Sequence, residues 1–249
     1  MRASWLMQAG LAGSLLLAGC SGGGKSAAPP APKNGPVQAA AAPARPAPDE
    51  RRLPHPDLST PDSAYVPLTS GTQLMFLYNA FSGLPPDFER MANESSDEYQ
   101  RTSDAFRKQD LLKALIPQYQ ARIEDAKAHP YVLWQADWTH IEHYDMARKG
   151  FPLLDSLLSD GGSGYMSDVR GYNFLLSNSE GFRFLSVDDE ARAREIEAMM
   201  VHTSFPIRIY AFVQSADDQG GRNVRAHVVK VQILERNSGR VLIEQKAED

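Results

Sequence analysis

FPIRIYAFVQSADDQGGRNVRAHVVKVQILERNSGRVLIEQ, residues 205–245, carries the clearest structural signal in the chain. Phe205, Ile207, Ile209, Ala211 and Val213 alternate with Arg208, Tyr210 and Phe212, the period of two that sets opposite faces of a strand. Asp217-Asp218-Gln219-Gly220-Gly221 is turn chemistry. Beyond it Val224, Ala226 and Val228 point one way, whereas Val229, Val231 and Ile233 point the other. A β-bulge near Val228 and Val229 reconciles the two runs, because one extra residue resets the side-chain phase. Asn237-Ser238-Gly239 turns the chain into a last strand over residues 241–245. If the sheet so formed is covered on one side only, Tyr210 and Phe212, opposite Ile207 and Ile209, are exposed and make a candidate contact surface.

Working outward, the period of two begins after Pro130, where Val132, Trp134, Ala136 and Trp138 alternate with Leu133, Gln135 and Asp137. Tyr144 and Met146 are expected to continue that face after a turn near Thr139. Residues 172–176 and 182–187 flank Ser177-Asn178-Ser179-Glu180-Gly181, which predicts a hairpin. A helix is expected over 188–202, with Asp188 as N-cap and acidic residues in its first turn.

Before Pro130 the period is 3.6. Leu74, Leu77, Tyr78 and Phe81 predict a helix over 71–81, stopped by Gly83, Pro85 and Pro86. A short helix over 87–92 follows. Ser95 and Glu98 have capping-box spacing and open a longer stretch, with Tyr99 and Phe106 as early anchors and Leu112, Leu115, Ile116, Tyr119 and Ile123 along one face. Pro117 predicts a kink or two consecutive helices, and His129, before Pro130, reads as a cation at a helix C-terminus, as does His202. The expectation is one α+β domain over 65–249, a helical N-terminal half packed on a mainly antiparallel β-sheet.

Residues 20–64 differ in kind. Gly, Ala and Pro dominate, ten of seventeen prolines fall between Pro29 and Pro61, and no apolar period survives to offset conformational entropy. This reads as a tether, about 120 Å long if stiff or about 35 Å as a coil. Residues 1–19 have a signal-peptide layout: Arg2, then Leu6, Met7, Leu11 and Leu15 to Leu17, then small residues. The apolar part is too short and interrupted to span roughly 30 Å of hydrocarbon.

Cys20 is the single cysteine. It closes no intramolecular disulfide and builds no thiolate zinc site. Leu17-Ala18-Gly19-Cys20 closely resembles the lipobox of bacterial lipoproteins. The resemblance implies cleavage before Cys20, a diacylglycerol on its thiol and an acylated amino terminus, with Ser21 implying release to the outer membrane. The alternative is an ordinary secretory signal with a chance cysteine.

The formal charge of −5 argues against a nucleic-acid partner. Gly161-Gly162-Ser163-Gly164-Tyr165 approaches G-x-S-x-G but lacks the last glycine and sits in a polar loop. His140 and His143 invite a metal reading, yet their odd spacing in strand territory sends them to opposite faces. Asp188-Asp189 and Asp217-Asp218 are carboxylate pairs of the kind glycoside hydrolysis uses, and helix capping and turn chemistry account for them. Trp134, Trp138, Tyr144, Tyr172 and Phe174 read mainly as core. No catalytic residue, metal ligand or cofactor is assigned.

The globular part also resembles an uncharacterised family of proteobacterial lipoprotein domains. The matching stretches are YVPLTSGTQL (65–74), FRKQDLL (106–112), YDM (144–146) and KGFP (149–152). The resemblance implies a single domain and brings no activity with it. The expectation is therefore a lipid-anchored envelope protein, a non-enzymatic module binding an envelope protein, glycan or small ligand; the alternative is an envelope hydrolase acting on glycan or peptide.

Overall fold

The computed structural model describes residues 53–200 and 204–248. The signal segment 1–19, Cys20, the tether as far as residue 52 and His202 lie outside the described residues. What is described is an α+β arrangement built around two long strands, β7 (Ser204–Asp217) and β8 (Arg222–Leu234), paired antiparallel.

The bulge lies where the phase change requires it. Tyr210 pairs with Lys230 and Ala211 with Val228, leaving Val229 as the extra residue. Val224, Ala226, Val228, Val231 and Ile233 consequently all enter one apolar core, while Val229 turns to the other side. The side chain of Asn178 takes up the backbone at this point. Its Oδ1 accepts from Val228 N at 2.7 Å and its Nδ2 donates to Val228 O at 3.0 Å, pairing groups the broken ladder would leave unsatisfied.

The sheet is mixed. β2 (Tyr131–Ile141) lies antiparallel beside β7, with a register shift between Ala136 and Thr139 where a turn was expected. Its other edge is shared by β1 (Val66–Pro67), parallel, and β3 (Gly150–Leu154), antiparallel. The far edge of β8 is divided in the same way between β5 (Tyr172–Leu176), parallel, and β9 (Val241–Lys246), antiparallel. β4 (Ser163–Gly164) flanks β5, and β6 (Phe184–Ser186) pairs with β3. The expected hairpin between residues 172–176 and 182–187 is thus absent. A 3-10 turn, Ser179–Phe182, separates β5 and β6, and each strand finds a partner distant in sequence.

The helices do not make up an N-terminal half. Four of them, α1 (Gly71–Phe81), α2 (Phe88–Ser95), α3 (Asp97–Arg101) and α4 (Ala105–Ala128), lie between β1 and β2, and α5 (Glu190–Met199) lies between β6 and β7. α1 follows its periodicity, burying Leu74, Leu77 and Tyr78. The cap expected at Ser95 belongs to Ser96, which accepts from Tyr99 N and opens α3; Ser95 Oγ donates back to Met91 O at 2.8 Å. Asp189, not Asp188, caps α5, accepting from Ala191 and Arg192. Phe106 is no anchor, at 81% exposure. α4 runs unbroken through Pro117. Pro117 and Lys113, whose carbonyl loses its helical donor there, are both on the exposed side, where water substitutes for the missing N–H.

The second face of the sheet is covered around Tyr210 and Phe212 as well, which corrects the expectation for them. Tyr210 is 3% exposed, packed with Tyr65 and Val229, and Phe212 lies half-buried with Leu58, Tyr131 and Leu133. Residues 53–64, tether by composition, lie against the domain here. Gln214 Nε2 donates to Pro54 O at 2.9 Å, Tyr131 Oη accepts from Asp57 N at 2.8 Å, and Lys230 Nζ donates to Asp62 Oδ1 at 2.5 Å. The Lys230 hydrogen bond, above all, holds the Asp62 carboxyl below its ordinary range.

The first turn of α1 touches the loop before β5. A Cβ on Gly71 would lie 2.3 Å from the Val169 carbonyl oxygen, a backbone atom with no rotamer in which to retreat. Gly71→Ala is expected to cost about 1–3 kcal/mol, the ordinary range for overpacking, measured by urea denaturation. Ala is the better helix former, so propensity alone predicts the opposite sign.

Candidate functional site

A concavity lies between α1, the C-terminal part of α4 and the β1/β2 edge, with a volume of about 390 Å³, within the size range of ligand pockets. Its walls are more apolar than polar: Leu68, Phe76, Leu77, Ala126 and Val132 line it together with Thr72 and Gln73. Its mouth carries Arg122, Asp125 and His129. Those three and Ala126 follow the i, i+3, i+4, i+7 spacing and so share one stripe of α4. The adjoining stripe, with Tyr119 and Ile123, packs inward.

The α1 wall is held at its start by a capping box. Ser70 Oγ accepts from Gln73 N, and Gln73 Oε1 accepts from Ser70 N at 3.0 Å and Thr69 N at 2.8 Å. Gln73 Nε2 donates to Pro67 O at 2.9 Å, tying β1 to the helix. Asp168 Oδ1 accepts from Gly71 N at 2.7 Å and its Oδ2 from Thr72 N at 3.3 Å. Burial pushes the Asp168 carboxyl up, but these backbone N–H groups at a helix N-terminus outweigh it and keep the pKa below the usual range. Phe76 is set against Tyr119 of α4 with ring centroids 5.9 Å apart.

At the mouth, His129 stands at the C-cap of α4, the helix end at which the sequence places it. Its Nδ1 donates to Asp125 O at 2.9 Å and stands 3.2 Å from Asp125 Oδ1. Arg122 is exposed and makes no ion pair or side-chain hydrogen bond with the described residues. Neither Arg122 nor Asp125 was singled out by sequence reasoning, which followed the apolar stripe of α4. The detectable signal was the second stripe, 122-125-126-129, beside it.

A wider depression of about 720 Å³ lies over the bulge, near Asn178, Phe182, His227 and Lys246. Its polar groups are largely committed to the fold: Asn178 to Val228 and to His227 Nε2 at 3.0 Å, and Ser177 Oγ to Gln214 at 3.0 Å. Burial, with His55 nearby, pushes the His227 imidazole pKa down, so the neutral ring accepts from Asn178 Nδ2.

Several of the remaining candidates take part in the fold. Asp189 caps α5; Asp217 Oδ1 accepts from Gln219 N at 3.0 Å and Asn223 Nδ2 at 3.1 Å while its Oδ2 pairs with Arg225. Ser163 lies in β4, whose Gly164 lies under the Trp134 indole. Trp134 stacks on Phe174 at 5.7 Å and 4°, and Tyr172 is buried, with its Oη donating to Glu94 at 2.8 Å. Tyr144 Oη donates to Val187 O at 2.9 Å. Trp138 departs from the core expectation at 65% exposure. His140 stands in β2 opposite Leu154 and Ser204, whereas His143 lies beyond the strand with Nδ1 on Glu197. Among the described residues no group of three His, Cys, Asp or Glu side chains is arranged to hold a metal ion, and no helix is long and apolar enough to cross a membrane.

No protein-family model matches the chain, and no curated protein and no solved structure matches it either.

Proposed function

We propose that the chain is a lipid-anchored protein of a bacterial envelope, held at the outer membrane through Cys20, whose globular part binds a ligand in the α1/α4 cleft without transforming it. The observation that carries the anchor is Leu17-Ala18-Gly19-Cys20 at the end of a short apolar segment that opens with Arg2. A thioether-linked diacylglycerol and an amide-linked acyl chain anchor firmly, since each buried CH₂ contributes about 0.8 kcal/mol and a single chain binds only marginally. The binding role is supported by the cleft, mainly apolar within, with Thr72 and Gln73 its polar exceptions, and charged at one rim, the usual build of a ligand pocket. One carboxylate of each pair that suggested a hydrolase is committed to the fold, Asp189 to a helix cap and Asp217 to a turn, which favours the non-enzymatic reading.

Cys20→Ala is expected to abolish incorporation of radiolabelled palmitate in growing cells and to prevent cleavage before residue 20, seen as a heavier band on gels. Label persisting in the mutant at the wild-type level sinks the anchor.

A further inference from the structure

We infer that the α1/α4 cleft takes a long-chain monocarboxylate, a single-chain amphiphile whose apolar body lies between the two helices and whose head meets Arg122. This rests on the binding role proposed for the same cleft and names its ligand class.

Three observations carry it. The inner polar side chains are spent on the protein itself: Gln73 on Pro67, Thr69 and Ser70, and Thr72 Oγ1 on Asp168 at 3.3 Å. A ligand rich in hydrogen-bonding groups, a glycan or an extended peptide, finds few partners between these walls, and its buried polar groups would each carry a desolvation penalty. An unfunctionalised chain against Leu68, Phe76, Leu77 and Val132 carries none.

The head is specified by the mouth. Arg122 is the cation there without an ion pair in the described structure, and its planar guanidinium matches a carboxylate with two parallel hydrogen bonds. The third observation sets the charge of the head. Asp125 follows Arg122 by one helical turn on the same stripe and is neighboured by a single imidazole, His129. A dianionic phosphate would place its second charge toward that carboxylate, whereas a monoanion satisfies Arg122 and leaves Asp125 with His129.

The test uses the lipidated full chain reconstituted in phosphatidylcholine vesicles. Two photoreactive probes, a dodecanoate and a dodecanol each carrying a terminal diazirine, are crosslinked and mapped by mass spectrometry. Dodecanoate is expected to label peptides containing Phe76 and Leu77 or residues 126–132, at least tenfold more than dodecanol does. Arg122→Glu should lower dodecanoate labelling at least tenfold. Ala126→Phe, which fills the cleft from a half-buried helix position, should abolish it. Lys127→Glu makes the same charge change next to the cleft but outside it and should leave labelling unchanged.

Equal labelling by the two probes, or equal losses in Arg122→Glu and Lys127→Glu, overturns the carboxylate assignment while leaving a cleft that binds apolar chains. Labelling of the cleft by neither probe overturns the binding role along with the ligand class. Palmitate at Cys20 is read in the same samples and reports on the anchor separately.

Discussion

Deletion of Val229 is expected to leave a folded domain, and deletion of Val231, two residues later, to abolish folding. Val229 is the extra residue of the bulge, standing between the Ala211–Val228 and Tyr210–Lys230 pairs. Without it those pairs become consecutive in a regular ladder. Val228, Val231 and Ile233 still face the core, and Lys230 and Gln232 still face outward. The losses are the Val229 side chain from the outer cluster, worth about 1.5–3 kcal/mol, the hydrogen bond from Ala247 N to Val229 O, and part of the Asn178 bracket on Val228.

Deletion of Val231 has no such remedy. If the bulge stays at Val229, Gln232 falls opposite Ile209 and enters the core while Ile233 turns out. If the bulge closes instead, Lys230 falls opposite Ile209. Either outcome buries a polar or charged side chain without its partners, Glu244 for Gln232 at 2.7 Å and Asp62 for Lys230. Burying an unpaired ammonium or amide and forfeiting a large apolar side chain together costs several kcal/mol, comparable with the roughly 5–15 kcal/mol that holds a domain together. Circular dichroism and thermal melts of the two deletions decide the matter: a cooperative transition for the first and none for the second is expected. Two equal outcomes would mean that Val229 is no bulge residue.

Tyr65→Ala is expected to cost about 3 kcal/mol, at the low end for removal of a buried aromatic ring, and to release the covering segment before the rest unfolds. The Tyr65 ring is T-shaped on Tyr131 at 5.3 Å and on Tyr210 at 5.0 Å, arrangements that add to area burial. It closes the small outer cluster, whose other buried members among the described residues are Tyr210 and Val229. Limited proteolysis should cut within residues 53–64 of the variant while the remainder stays resistant. Tyr65→Phe keeps both ring contacts and is expected to lose less than about 1 kcal/mol. A Tyr65→Ala protein with wild-type stability and the same resistance would show that the segment holds itself in place by its hydrogen bonds alone.

The elements legible in the sequence are those whose signal is local. A bulge at Val229 follows from a phase slip between two apolar runs, and α1 from four side chains on one face, because backbone periodicity is short-range geometry. Caps at Ser96 and Asp189 were displaced by one residue: adjacent Ser and Asp residues offer the same oxygen, and only the entry angle of the chain selects between them. Strand existence near residues 172–176 and 184–186 was legible, but pairing was not. β5 pairs with β8 and β6 with β3, choices made by how distant strands pack rather than by the turn between them.

The cleft lay further from view. His129 was recognisable as a helix-end residue, yet its neighbours Arg122 and Asp125 acquire meaning only when α4 is laid beside α1 and β1. Tyr210 and Phe212 show the same limit from the opposite side. Their face was read correctly as distinct from that of Ile207 and Ile209, but what covers it is a segment more than 140 residues earlier with no apolar period of its own.

The sequence by itself determined the strand phases and the first helix, since each rests on residues adjacent or one turn apart. Tertiary structure alone decided that the second sheet face is covered around Tyr210 and Phe212 and that Arg122 stands at the mouth of a mainly apolar cleft. Burial is a property of what packs against a residue, and its partners here are set by chain reversals that no local pattern encodes.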